Sequence, residues 1–157
     1  MKLYNILPVI LITIFLSSCA TTSKATMTPL EIQSLQSRDY EAKKDIVFGS
    51  VVSVFQDIGY AISNADLQTG LVFAESSTES DNLSAFFGIA KVNHTKATAF
   101  IERIGDRTKV RLNFVEVTNT SSSYGQNKKQ DRPLLDAKLY QNAHEKIANA
   151  VFIRSAN

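Results

Sequence analysis

The sequence predicts an α+β domain, an antiparallel sheet of four to five strands with two helices packed on one face, in the order strand, helix, four strands, helix. Apolar residues recur at helical period in two separated stretches, "DIVFGSVVSVFQDIGY" and "LYQNAHEKIANAVF". Between them lie β-rich runs that alternate apolar with polar residues and are joined by turn residues. Strands grouped between two helices, and connected as hairpins, make an antiparallel sheet with its helices segregated to one face.

The domain opens near Arg38 with a short mixed strand, "SRDYEA". In the first helix Val47, Val51, Val54, Phe55 and Ile58 share a face, with Asp45 as the expected N-cap. Gly59 is expected just past the helix end, where a left-handed backbone favours glycine. "YAISN" and "GLVFAES" flank the turn residues of "ADLQTG" and make the first hairpin. "KATAFIERI" and "KVRLNFVEV" flank Gly105 and Asp106 and make the second, in which Val110, Leu112 and Phe114 alternate with Arg111 and Asn113. The closing helix carries Leu139, Tyr140, Ala143, Ile147, Ala150 and Val151 on one stripe, and Pro133 is placed near its start, where a missing N–H does no harm.

Two connections stand out. Residues 75–95, "ESSTESDNLSAFFGIAKVNHT", are long for a loop and carry Phe86, Phe87 and Ile89 at their centre. Such a segment either packs on its own domain, as a short helix or edge strand, or meets a partner or membrane. Residues 118–131, "TNTSSSYGQNKKQD", read as a flexible solvated loop. The alternative is a basic arm, with Lys128, Lys129 and nearby Arg132 touching anionic lipid or glycan.

Ahead of the domain, Lys2 precedes an apolar run from Ile6 to Leu16, and the small residues Ser17, Ser18 and Ala20 follow. These are the three regions of a secretory signal, and the run is too short for a spanning helix of about 20 apolar residues. Leu16, Ser17, Ser18 and Cys19 resemble the lipobox of bacterial lipoproteins, in which signal peptidase II cuts just before the cysteine. The resemblance implies a diacylglycerol thioether on Cys19, the chain's single cysteine, and Ala20 in place of aspartate implies the outer membrane of a Gram-negative bacterium. Ordinary secretion is the alternative, since Ser18, Cys19 and Ala20 also satisfy a small-x-small cleavage pattern. The expected organisation is a signal peptide over 1–18, a flexible tether over 19–36 and a single domain over 37–157.

Removing residues 1–18 takes one from the 17 basic residues and none from the 15 acidic ones, so the remainder is close to neutral. With an envelope address, this argues against nucleic acid as a partner. No His-Glu-x-x-His, Cys-x-x-Cys, Gly-x-Ser-x-Gly or glycine-rich phosphate loop occurs in the sequence. No catalytic residue, metal or cofactor is therefore expected. His94, in the polar loop, and His144, on the polar side of the last helix, are read as solvated surface histidines.

"FQDIGYAISNADLQTGLVFA" and "LYQNAHEKIANAVF" resemble segments of small uncharacterised bacterial lipoproteins. The implied architecture is similar to the helix-grip domains of the third lipoprotein of the β-barrel assembly machinery. These motifs are packing motifs, so the resemblance implies fold and compartment. The function expected is that of a structural or assembly accessory working through protein contacts. A module binding small apolar ligands is the alternative, and a peptidoglycan-related enzyme a second one.

Overall fold

A computed structural model describes residues 27–80, 89–123 and 125–156. The chain is an α+β protein built on an antiparallel sheet. In chain order its elements are α1 (Pro29–Gln36), β1 (Ser37–Tyr40), α2 (Lys44–Asp57), β2 (Tyr60–Asp66), β3 (Leu71–Ser76), β4 (Glu79–Ser80), β5 (Ile89–Ile104), β6 (Arg107–Ser122), β7 (Asn127–Pro133) and α3 (Ala137–Ser155). The sheet runs β1-β6-β5-β3-β2, with β4 joined to β5 and β7 to β6. Among the described residues, seven strands and three helices thus stand where the sequence predicts four to five strands and two helices.

Helix α1 occupies the end of the span read as a flexible tether. Its start is set by a capping box: Glu31 N donates to the Thr28 hydroxyl at 3.3 Å, and Thr28 N donates to the Glu31 carboxylate at 2.7 Å. Pro29 follows at the first helical position, where no N–H is needed. At its other end Gln36 is buried and Leu35 packs on the core. Helix α2 starts at Lys44 after Lys43, without a side-chain cap, so Asp45 lies in the first turn and not at the cap. A carboxylate there still favours the positive end of the helix dipole. Gly59 ends this helix at φ +89°, as its position in the sequence predicts.

Both expected hairpins are present, and the second is longer than the sequence suggested. Strands β5 and β6 pair without interruption from Ile104↔Arg107 to Ile89↔Ser122, so His94 lies in a strand and not in a loop. Residues 118–131 are not a flexible loop either. β6 continues to Ser122, and β7 returns along it from Ser121↔Asn127 to Val115↔Pro133. Pro133 therefore ends a strand, and α3 begins later, where Asp136 accepts from Lys138 N at 2.8 Å and Leu139 N at 3.3 Å. Every residue of β7 is exposed, and a row of Lys128, Lys129, Arg132 and Pro133 on an outer strand discourages pairing with another chain.

The core lies between one sheet face and helices α2 and α3. Val72, Ala74, Ala97, Ala99, Ile101, Val110, Leu112 and Phe114 meet Val47, Val51, Val54 and Phe55 from α2 and Tyr140, Ala143, Ile147 and Val151 from α3. Phe114 is central, with its ring 5.2 Å from Tyr140, 6.2 Å from Phe55 and 6.1 Å from Tyr60. It sits where β6 is flanked by neither β1 nor β7. Its N–H donates instead to the Tyr140 hydroxyl at 3.2 Å, and its carbonyl accepts from Leu134 N at 2.9 Å. The gap between two edge strands thus leaves no buried backbone group of Phe114 unmatched.

Gly70 closes the first hairpin at φ +76°, its carbonyl accepting from Ile101 N at 2.8 Å. A Cβ at this position falls 2.0 Å from the Ile101 carbonyl oxygen, so the turn seats directly on β5. Gly70→Ala is expected to cost more than about 2 kcal/mol, since a left-handed alanine alone costs roughly 1–2 and the clash adds to it. Gly105→Ala is the control: φ is +60° there, but nothing lies within 4 Å of the added Cβ. Equal losses for the two in urea unfolding would exclude the close approach as the reason for glycine at Gly70.

Candidate functional site

At about 3.3 Å per residue, the sixteen-residue strands β5 and β6 are each about 50 Å long. Among the described residues, helices cover only part of that length. The cluster packed beneath α2 and α3 takes nothing from β5 before Ala97 or from β6 after Phe114. Beyond those positions the hairpin continues as an arm, flanked by β4 on one side and β7 on the other. Ile89 is the first residue of β5, paired with Ser122 at the arm's tip. Phe86 and Phe87, the other predicted contact residues, lie outside the described residues, as does Cys19.

At the opposite end of the hairpin, α1 folds back along β1. Leu30, 74% exposed, lines an open groove of about 260 Å³ with Ser37, Arg38, Asp39 and Lys109. Measured along β6, Lys109 beside Leu30 and Ser121 at the tip stand about 40 Å apart. Lys109 beside α1 and the end of the arm are therefore well separated.

The sheet's outer face, turned away from α2 and α3, follows from the strand alternation. Leu71, Phe100, Arg111 and Ser37 form one cross-strand row, and Phe73 and Thr98 belong to the next. Phe73 is 38% and Phe100 40% exposed, and Ile104 is exposed further along β5. The charges on this face are answered within it. Lys96 pairs with Glu75 at 3.4 Å, Lys109 lies between Asp39 and Glu102 in register, and Arg111 donates to the Gln36 side-chain oxygen at 3.2 and 3.3 Å. The result is a patch with aromatic residues in which Lys96, Lys109 and Arg111 each have a partner or an opposed acid.

His144 corrects its sequence reading. It is 2% exposed and lies in the buried stripe of α3, one turn from Tyr140 and three residues before Ile147. Its Nε2 is 3.2 Å from the Gln36 carbonyl, which only accepts, so that nitrogen carries the proton and Nδ1 accepts from the Tyr40 hydroxyl at 2.9 Å. Desolvation pushes the imidazole pKa down to about 4, and burial pushes the Tyr40 phenol up. The ring is thus a neutral bolt joining α3 to the α1–β1 junction. Buried to this extent, it is not placed to serve a substrate as a base. The signal was present in the i, i+4 spacing from Tyr140, but histidine's polarity hid it.

A polar hollow of about 330 Å³ lies beyond the end of α2, lined by residues including Tyr60, Asn93, Thr95 and Glu116. Glu116 is held by Arg132 at 2.7 Å, and Asn93 Oδ1 is buried without a partner. Among the described residues no three of His, Cys, Asp and Glu converge as metal ligands, and no helix is long and apolar enough to cross a membrane. The groove at Leu30 and this hollow are both open to solvent. The chain matches no protein-family model and no curated protein.

Proposed function

We propose that this chain is an envelope lipoprotein, anchored in the outer membrane through a lipid on Cys19 and facing the periplasm, that serves as a structural or assembly accessory through contacts with another envelope protein. The observation that carries the reading is the arm: a paired extension of the sheet on which no helix packs among the described residues, its tip about 40 Å from Lys109 beside α1. An enzyme gains nothing from such a shape, whereas an adaptor needs a stiff element that separates its attachment from its contact. Lipid attachment supplies the other half. Each buried methylene contributes about 0.8 kcal/mol, and two or three acyl chains make retention lasting. In this reading Phe86, Phe87 and Ile89 carry the contact, since aromatic residues dominate binding hot spots.

Cys19→Ser is expected to move the protein from the membrane to the soluble fraction. A variant that stays on membranes through alkaline and high-salt washes contradicts anchoring. The contact is tested separately, with a photo-crosslinking residue placed at Ile89 and, as control, at Asp106 in the turn at the other end. Partner adducts from Ile89 and none from Asp106 are expected. Equal capture at both sites overturns the arm as the contact element.

A further inference from the structure

We infer that the outer face of the sheet, around Phe100 and Phe73, docks on the phospholipid bilayer that holds the anchor. This rests on the anchoring reading and adds an orientation to it. Residues 20–26 alone separate Cys19 from Met27, and at no more than about 3.6 Å each they let the domain stand at most about 30 Å from its lipid. The groove of Leu30 includes Ser37, Asp39 and Lys109, and Ser37 and Phe100 belong to the same cross-strand row, two strands apart, or about 10 Å. The groove at Leu30, three residues from Met27, therefore opens beside the same edge of the face that carries the exposed aromatics.

Chemistry favours the same occupant. Phe73, Phe100, Leu71 and Ile104 offer apolar surface on this face, and Phe and Leu are among the residues that interfacial elements bury at the headgroup boundary. Lys96, Lys109 and Arg111 have partners or opposed acids within the face, so pressing it against headgroups strands no cation. Asp39, Asp66, Glu75 and Glu102 outnumber those cations, so attraction to anionic lipid is not the driving force. The contact is apolar and is not weakened by salt.

The chain contains no tryptophan, so a single introduced one reports its own surroundings. Full-length lipidated protein carrying Phe100→Trp, Phe73→Trp or Phe152→Trp is reconstituted into vesicles of phosphatidylethanolamine and phosphatidylglycerol, with and without brominated acyl chains. Phe152 is 76% exposed on α3, on the other side of the sheet. Blue-shifted emission and bromolipid quenching are expected at positions 100 and 73, not weakened by high salt, with neither at 152. Phe73→Trp keeps the test decisive if Phe100→Trp misfolds. Protein that floats with the vesicles yet shows no quenching at 100 or 73, or equal quenching at 152, overturns the docking and leaves anchoring intact. A blue shift that depends on protein concentration without lipid assigns the face to a second copy and also overturns it. Failure to float removes the anchoring reading, and the docking with it.

Discussion

Phe114→Ala is expected to cost about 4 kcal/mol of unfolding free energy, within the 3–5 kcal/mol typical of a fully buried phenylalanine. The ring is completely inaccessible, and it joins α2, β2 and α3 through Phe55, Tyr60 and Tyr140. Its backbone is fixed by the Tyr140 hydroxyl, which restrains the strand from collapsing into the space left behind. Phe100→Ala is the comparison, with the same side chain removed from the outer face, and it is expected to change stability far less. Urea unfolding of both variants checks this. Similar losses at the two positions would mean that the outer face is covered as fully as the core.

Stability is expected to fall as the solution is acidified from about pH 6.5 to about pH 4, by up to about 3 kcal/mol from His144. In the unfolded chain the imidazole binds a proton near its ordinary 6.5, while in the folded protein it stays neutral down to about 4. Between those values the unfolded state holds more protons and is favoured, and below them the loss levels off. Both ring nitrogens are engaged, so the ring cannot turn towards water without giving up Gln36 and Tyr40. The exposed carboxylates of Glu31 and Asp66, held below their usual range by hydrogen bonds, act mainly at lower pH. His144→Gln, compared with the unaltered chain by urea unfolding at neutral pH and near pH 4.5, should flatten the slope in this window. An unchanged slope would place the acid sensitivity elsewhere.

The two helical stripes and both hairpins were legible because each buries one face, and burial imposes a period on the residues. The arm was not legible. The strand residues of 118–131 are held by backbone pairing, which serine, threonine and lysine satisfy without any alternation in hydropathy. Helix α1 had a readable start in Thr28 and Glu31, but what keeps it ordered is a buried Gln36 whose carbonyl meets a histidine 108 residues away. His144 likewise looked solvated until Tyr40, 104 residues away, was brought to its Nδ1.

The candidate site divides along the same line. By itself the sequence determined the fold class, the helix end at Gly59, the apolar alternation of the central strands and the lipobox expectation at Cys19, because each depends on neighbours within a few residues. Only the tertiary structure decided which sheet face the helices cover, and hence that Val110, Leu112 and Phe114 are core while Phe73 and Phe100 remain on the surface. Alternation tells which residues share a face, but side-chain packing between distant segments selects the face that is buried.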